Sequence, residues 1–334
     1  MRIQNSHAII DVQPLAAAIS NAVFRLPDGK EVSPLYRAPW RDSTDPRMDE
    51  IPALLRELGA EWPCVPFGMP GVRDDLPQDW QLADAGEDWN EHPHGYASNH
   101  DWQLSQVSES ALRAEIDYPA DHPIERLVRN LWLDPSQTTV HIALTVHART
   151  PTRLPVGLHP VIDLAGFQPE TCNLAIPPTT RAWTFPTDVE PGRSRFLPDQ
   201  RNVDPTALVT ADGTADVGVV PFPTATEDLV LLTGLDGSIG FVAPASAYRV
   251  DIDWDRSVLP NCLLWLSNGG REGFPWNGAN RAIGIEPVAA PFDLGVGHSL
   301  SETTPFASHG ISTAIPVSPD KPLSIDYRID VAGL

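Results

Sequence analysis

Three side chains that could transfer protons stand out in this sequence, and each is followed by a residue with special backbone properties. His94 precedes a glycine, whereas His159 and Glu286 each precede a proline. Imidazole titrates near neutral pH, and a carboxyl group can serve as an acid or a base once its surroundings tune its pKa. Together these residue types predict a site for general acid–base chemistry.

The surroundings of Glu286 give the strongest of these signals. The residue lies in the apolar segment Ile283-Gly-Ile-Glu-Pro287, where a buried carboxylate costs free energy unless it is paired, hydrogen-bonded or functional. Desolvation would raise its pKa, which suits a general base. From the residues alone, a structural and a catalytic role are about equally favoured.

The two histidines allow a functional and a structural interpretation. Pro160 biases His159 towards extended backbone, so we expect its imidazole at a strand edge that faces a concave sheet surface; the alternative is a structural histidine that caps a loop. His94 lies in a histidine-rich segment that could be mistaken for a metal site, but the further ligands of such a site are not evident. We expect no metal, and interpret His94 as a group that hydrogen-bonds a substrate, with Gly95 permitting close backbone approach.

Composition excludes several classes of partner. The 334 residues include 23 Lys and Arg against 44 Asp and Glu, a formal net charge of -21 with no long basic run. Nucleic acids and anionic membranes are therefore not expected as partners. Three cysteines without metal-ligand spacing suggest neither a disulfide framework nor a zinc site. No secretory signal or apolar run of membrane length is evident, so we expect a cytoplasmic protein.

Short strands dominate the predicted secondary structure. Strict alternation of apolar and polar residues predicts a half-buried strand over Thr139–Arg149. Similar strands are predicted at Ala111–Tyr118, Val128–Leu133, Ser238–Ala243, Tyr248–Trp254, Cys262–Ser267, Ala282–Pro287 and Leu323–Val331. Helical spacing predicts one helix over Asp49–Gly59, with Pro52 early and Gly59 at its end. The fold class is therefore all-β, a large antiparallel sandwich or barrel with few short helices, forming a single domain over residues 1–334.

Three motifs in a fixed order resemble a known family. The set His94-Gly-Tyr-Ala97, Leu158-His-Pro160 and Ile285-Glu-Pro287 is similar to that of the aldose 1-epimerases, also called galactose mutarotases, and the resemblance covers roughly residues 15–330. It implies a large antiparallel β-supersandwich without a metal or organic cofactor. The implied partner is a small-molecule sugar, and we expect a monomer or a homodimer.

The resemblance also implies roles for individual residues. Glu286 would act as general base on the anomeric hydroxyl, His159 as general acid on the ring oxygen, and His94 would orient the sugar. Trp276 could stack on a pyranose face, and further sugar contacts are expected from Arg73 and from Asp188 or Asp163. Ser98 and Val161 stand where the family usually has an arginine and an aromatic residue, which bears on the identity of the sugar.

Other functions remain open at this point. A carbohydrate-binding or regulatory protein on the same fold would bind sugar without accelerating its exchange. A lyase or glycosidase would need a second acid, and only Glu286 has a clear motif. The Arg37 and Arg41 pair, which lies among aromatic residues, could reach the pocket or a phosphate on the substrate.

Overall fold

Strands form most of the regular secondary structure, as the sequence predicts. The structure is a computed structural model that describes residues 1–82 and 89–334. Its strands in chain order are β1 Arg2–Gln4, β2 Ala8–Val12, β3 Ile19–Arg25, β4 Glu31–Val32, β5 Pro63–Cys64, β6 Gln103–Ser108, β7 Ala111–Asp117, β8 Ile124–Leu133, β9 Thr139–Ala148, β10 Thr152–Leu154, β11 Val156–Leu158, β12 Val161–Asp163, β13 Cys172–Ala175, β14 Arg181–Thr184, β15 Leu208–Thr210, β16 Gly213–Ala215, β17 Val219–Val220, β18 Thr226–Thr233, β19 Ile239–Ala243, β20 Tyr248–Trp254, β21 Asn261–Asn268, β22 Arg281–Ala289, β23 Ile315–Val317 and β24 Leu323–Gly333.

The helices are short by comparison. The α-helices are α1 Ala53–Arg56, α2 Gly295–Leu300 and α3 Pro305–Ser308. Single turns of 3₁₀ helix occur at Pro46–Glu50, Gln78–Trp80, Tyr96–Ser98, Pro205–Ala207 and Pro244–Ser246. Within residues 1–82 and 89–334, no helix is both long enough and apolar enough to cross a membrane.

Two large antiparallel sheets form most of the fold. A nine-stranded sheet has the order β17-β13-β19-β20-β24-β9-β8-β7-β6, and a seven-stranded sheet has the order β14-β18-β21-β22-β11-β5, with β12 also pairing with β22. A four-stranded sheet, β1 to β4, lies at the N-terminal end of the chain. The main core joins inward side chains of both large sheets, such as Ile142 and Ile329 of one and Leu264 and Ile285 of the other. This arrangement confirms the all-β prediction.

The seven-stranded sheet is buried on both faces. Its second face packs in a separate core, where Leu231, Leu263 and Val288 meet side chains from the helices and loops, including Trp80 and Phe306. Because successive side chains of a strand point to opposite faces, the second face also receives Glu286. A strand that is buried on both sides has no polar face, which explains why the sequence of β22 shows little alternation.

The prediction of one helix over Asp49–Gly59 is wrong in its extent. The chain instead forms a 3₁₀ turn that ends at Glu50, passes through Ile51 and Pro52 in extended backbone, and then makes the four-residue helix α1. Proline disfavours helical backbone in the residue before it, so Pro52 divides the segment at Ile51. The leucines at positions 54, 55 and 58 nevertheless face one side, and they line the cavity described below.

Candidate active site

The three residues singled out by the sequence meet in one cavity. It has a volume of about 220 Å³, lies on the second face of the seven-stranded sheet, and includes His94, His159 and Glu286 in its lining. Glu286 comes from the middle of β22, His159 from the turn between β11 and β12, and His94 from the loop before the 3₁₀ turn Tyr96–Ser98. More than 120 residues of chain separate Glu286 from its partner His159, and sheet pairing brings them together.

Backbone hydrogen bonds place the His159 turn against β22. The N–H of His159 donates to the carbonyl of Trp62 at 2.9 Å, and the N–H of Ile285 donates to the carbonyl of Pro160 at 2.9 Å. The imidazole stacks on the Trp62 ring, with centroids 4.0 Å apart and an interplanar angle of 18°. Nε2 of His159 then lies 3.3 Å from Oε1 of Glu286.

Burial governs the electrostatics of this pair. Glu286 is 1% exposed and His159 is 5% exposed. Burial raises the pKa of Glu286, and the nearby Asp293 charge raises it further. Burial lowers the pKa of His159, and His94 adds to that effect. A neutral acid beside a neutral imidazole holds the same single proton as a carboxylate beside an imidazolium, and the 3.3 Å separation allows that proton to pass between the two groups.

His94 is the second imidazole of the site and packs against His159. Its ring meets His159 edge to face at 5.3 Å and Phe67 at 5.1 Å. Burial lowers the pKa of His94 to about 4, with Arg271 adding to the shift, so the ring is neutral at pH 7. Gly95 has a φ of 89°, and a Cβ there would collide with the backbone of Val65. The close approach expected at this glycine is therefore to the protein's own chain.

Several buried polar atoms of the site have no hydrogen-bond partner within the described part of the chain. They are Nδ1 of His94, Nδ1 of His159 and Oε1 of Glu286. Buried polar groups are normally hydrogen-bonded, because leaving one unpaired costs free energy. A polar ligand in the cavity would supply the partners that these atoms lack.

A second buried carboxylate, which the sequence interpretation missed, holds other side chains of the cavity lining. Glu227 in β18 accepts hydrogen bonds from Trp265 Nε1 at 2.8 Å and from Ser267 Oγ at 2.9 Å. Arg271 Nε lies 3.1 Å from Oε1 of Glu227, and its guanidinium lies 4.8 Å from the Trp276 ring centroid. Trp265, Arg271 and Trp276 all line the cavity. The signal that could have found Glu227 is the one used for Glu286, a carboxylate in an otherwise apolar strand.

The other expected sugar contacts have different outcomes. Trp276 lines the cavity and packs edge to face on Trp40 with centroids 4.6 Å apart. Arg73 does not line it: its guanidinium pairs with Asp75 through contacts of 2.8 and 2.6 Å. Asp188 accepts the N–H of Gly192 at 2.9 Å within its own loop and does not line the cavity either.

Asp163, Arg37 and Arg41 also lie outside the cavity lining. Asp163 accepts the N–H of Ala165 at 2.8 Å, next to its own position in the chain. Arg37 and Arg41 form ion pairs with acidic neighbours, Asp42 and Glu57 respectively. The carboxylate that does line the cavity beside Glu286 is Asp293, whose pKa burial raises while Arg271 and Arg73 oppose the shift.

The two departures from the family motifs have structural roles. Ser98 is buried, and its hydroxyl contacts the carbonyls of Pro63 and His94 at 3.0 and 2.7 Å, so it holds the His94 loop. Val161 pairs with Gly284 across the sheet. Across residues 1–82 and 89–334, no group of three or more His, Cys, Asp and Glu side chains is arranged to hold a metal ion.

Comparison with known proteins identifies the fold. No protein-family model and no curated protein matches this sequence. Among solved structures, the Slr1438 protein from Synechocystis sp. PCC 6803 is similar with a TM-score of 0.64 and 16% identity, over 100% of this chain and 96% of that chain. A galactose mutarotase related enzyme from Lactobacillus acidophilus has a TM-score of 0.60 and 13% identity, over 100% and 97%. An aldose epimerase homologue from C. elegans has a TM-score of 0.60 and 12% identity, over 100% and 98%. The chain therefore has the galactose mutarotase-like fold, which confirms the predicted β-supersandwich.

Proposed function

We propose that this protein is an aldose 1-epimerase-like isomerase that interconverts the α and β anomers of a neutral monosaccharide. The observation that carries the proposal is the separation of 3.3 Å between His159 Nε2 and Glu286 Oε1 in a buried cavity. Anomer exchange moves one proton off the anomeric hydroxyl and one onto the ring oxygen, and both oxygens are bonded to C1. An acid and a base for this reaction must therefore be close neighbours, as these two side chains are.

The chemistry proceeds through the open-chain sugar. The Glu286 carboxylate takes the proton of the anomeric hydroxyl while the His159 imidazolium gives a proton to the ring oxygen. The C1–O5 bond breaks, its electron pair stays on O5, and O1 becomes the aldehyde oxygen. Rotation about C1–C2 followed by the reverse transfers closes the ring as the other anomer. The general acid and the general base each contribute roughly 10²–10⁴-fold.

Burial of the pair determines which protonation states it favours. After ring opening, Glu286 holds the proton and His159 is neutral, which is the form that a low-dielectric site favours for both groups. The ionised form that starts the reaction retains the attraction between opposite charges 3.3 Å apart. Burial favours the neutral forms before the reaction as well, so the ionised pair that starts ring opening arises by transfer of the shared proton from Glu286 to His159.

The charges in the lining favour a neutral sugar. Glu286 and Asp293 are acidic, and the arginine among the described lining residues, Arg271, is already paired with Glu227. A sugar phosphate would bring a buried anion next to carboxylates, which is unfavourable without a free cation. The volume of about 220 Å³ suits one monosaccharide and is smaller than the ~300–1,000 Å³ of typical drug-sized ligand sites, which disfavours cleavage of a polymer.

The experiment that tests this function is a measurement of anomer exchange by NMR saturation transfer across a panel of neutral aldoses and their 6-phosphates. We expect at least one neutral sugar to exchange faster with the protein and the phosphates to be unaffected. Binding of a neutral sugar without faster exchange would contradict the proposal, and would favour the alternative of a non-catalytic carbohydrate-binding protein on this fold.

A further inference from the structure

A group of buried polar side chains lies beside the main core, and the proposed chemistry does not use it. It consists of Glu61, which comes shortly before β5, Arg129 of β8 and Tyr327 of β24. Arg129 and Glu61 are 0% exposed, and Tyr327 is 4% exposed. Arg129 Nη2 forms an ion pair with Oε2 of Glu61, and the Tyr327 hydroxyl donates to Oε1 of the same carboxylate. We call these three residues the buried cluster.

The buried cluster ties several segments of backbone together. Arg129 Nη1 donates to the carbonyl of Ala17 at 2.7 Å. Two residues further on, the N–H of Ile19 donates to the carbonyl of Glu61 at 2.9 Å, and the N–H of Ala60 donates to the carbonyl of Ile19 at 3.0 Å. The chain around Glu61 is therefore held to the nine-stranded sheet by its side chain and to the start of β3 by its backbone.

The same stretch of chain holds the turn that carries His159. The carbonyl of Ala60 accepts the N–H of Val161 at 2.8 Å, and the carbonyl of Trp62 accepts the N–H of His159 at 2.9 Å. Glu61 therefore lies between the two residues that bind the backbone on either side of the proline in this turn. A displacement of the chain at Glu61 would be passed on to the turn through both hydrogen bonds.

The side chains of Glu61 and Trp62 belong to different layers of the protein. Glu61 contacts Tyr327, which is part of the main core. Trp62 belongs to the second core, lines the cavity and stacks on the His159 imidazole with ring centroids 4.0 Å apart. Because neighbouring side chains of an extended chain face opposite sides, a rotation of the backbone at Glu61 would also move the indole on which the imidazole rests.

Stability alone does not account for the buried cluster. Taking an ion pair out of water costs free energy that its attraction often fails to exceed, and apolar residues of similar size can stabilise a core equally well. Nε of Arg129 also has no hydrogen-bond partner within the described part of the chain, which adds to the cost. What hydrogen bonds between charged groups provide in addition is a defined geometry, since they fix the position and the orientation of both partners.

We propose that the buried cluster positions the general acid His159; this inference rests on the proposed function. The cluster fixes the backbone at Glu61, and the neighbouring Trp62 passes this position to His159 through its ring and its carbonyl. The imidazole is thereby held with Nε2 at 3.3 Å from Oε1 of Glu286. The members of the cluster act through Trp62, so they are positioning residues and not catalytic residues.

A variant that lacks every polar group of the cluster is the main test. Glu61→Leu, Arg129→Met and Tyr327→Phe are combined, because removing one charge alone would leave the other buried and unpaired, which destabilises a protein strongly. We expect the triple variant to fold and to keep a KM near the wild-type value. Its kcat for anomer exchange should fall about tenfold or more, since small displacements of a catalytic group are costly.

Tyr248→Phe is the matched control for this variant. Tyr248 is another buried tyrosine of the nine-stranded sheet, and its ring packs near Phe241 at a centroid distance of 6.4 Å. The substitution removes a hydroxyl from the same sheet without touching the buried cluster. We expect kcat and KM of this control to stay at their wild-type values.

The NMR signals of the histidine rings report the position of the imidazole independently of activity. The stacked indole shifts the ring protons of His159 upfield, and their signals are identified by their absence from the spectrum of His159→Gln. In the triple variant we expect these signals to move towards those of an unstacked imidazole. His309 is the internal control, because its ring meets Trp183 at 4.9 Å, and its signals should not move.

Two results would overturn the inference. One is a triple variant whose His159 signals are unmoved, and the other is a variant whose signals move while kcat is unchanged. If the triple variant does not fold, Tyr327→Phe replaces it, because it removes only the hydroxyl that binds Glu61. Its His159 signals and its kcat should change in the same direction by a smaller amount, and values equal to those of Tyr248→Phe would overturn the inference.

The proposed function can fail separately from this inference. If the wild-type protein accelerates the exchange of no sugar, the proposed function is wrong, and the His159 signals alone test the buried cluster. Displaced His159 signals beside unmoved His309 signals would still support the cluster as the structure that positions His159. Unmoved signals of both histidines would overturn the inference as well.

Discussion

Gly284 and Glu286 lie two residues apart on the same face of β22, and a Cβ at position 284 would occupy the space of Oε1 of Glu286. Trp265, which pairs with Gly284 on the neighbouring strand, closes the other side of that space with its Cβ 3.1 Å from the same point. The glycine therefore makes room for the carboxylate, and this explains why a small residue stands in the centre of a fully buried strand.

This relationship predicts the effect of Gly284→Ala. The added methyl group should displace the Glu286 carboxyl from His159 and lower kcat for anomer exchange at least tenfold, since small displacements of catalytic groups are costly. Steady-state exchange rates from NMR would show the loss. Gly166→Ala is the matched control, because nothing lies within 4 Å of the Cβ position there, and equal activity in the two variants would contradict the account.

The shared proton of the pair predicts a bell-shaped pH dependence of kcat/KM. Activity requires one proton on the pair, so it should fall at low pH when both Glu286 and His159 are protonated and at high pH when neither is. Exchange rates measured from pH 4 to pH 10 would define both limbs. His159→Gln cannot hold the second titrating proton, so a profile of unchanged shape in that variant would argue against the pair as the titrating unit.

The lowered pKa of His94 predicts that the folded protein loses stability in acid. The folded pKa of His94 is about 4 against an ordinary value of 6.5, so the unfolded chain binds a proton that the folded protein excludes. Its contribution is fully present above pH 6.5 and declines as the pH falls towards 4. The wild-type protein should lose roughly 2 kcal/mol more of its free energy of unfolding between pH 7 and pH 5 than His94→Gln does. Urea unfolding of both proteins at the two pH values would measure this, and equal losses would refute it.

The ion pair between Glu227 and Arg271 predicts that Glu227→Gln weakens substrate binding more than it slows the chemical step. Glu227→Gln removes the charge that holds Arg271, while its side-chain oxygen can still accept the Trp265 N–H. KM should rise about tenfold, with a smaller change in kcat, because Arg271 lines the cavity but is not a member of the acid–base pair. Glu272→Gln, which breaks the exposed pair with Arg193, is the control and should leave both constants near their wild-type values. A fall in kcat alone would point to a catalytic role for Glu227 instead.

The sequence predicted features correctly where a local residue pattern had its cause in the fold. Glu286 stood out because a carboxylate interrupts an apolar strand, and burial on both faces of the sheet is the physical reason for that pattern. The strand over Tyr248–Trp254 was predicted with the bounds that the structure shows, since its alternation reflects one buried and one partly exposed face. His159 was expected at a strand edge, and β11 ends at Leu158, directly before it.

Other features of the site could not be predicted, because they depend on contacts between segments that are distant in the sequence. Arg73 was expected at the sugar because of its place in the chain order, but Asp75 lies two residues away and pairs with it. The arginine that reaches the cavity is Arg271, from the loop between β21 and β22, and nothing local in the sequence marks it. The helix over Asp49–Gly59 was overestimated because leucine spacing outweighed the effect of Pro52.

The central claim is that Glu286 and His159 exchange protons with a bound sugar. The most direct test compares anomer exchange by NMR saturation transfer in the wild-type protein and in Glu286→Gln, on whichever neutral aldose the wild type accelerates most. We predict that the variant keeps the wild-type circular dichroism spectrum and still binds the sugar, but loses about 10²-fold or more of the rate acceleration. A folded Glu286→Gln protein that exchanges the sugar at the wild-type rate would contradict the account.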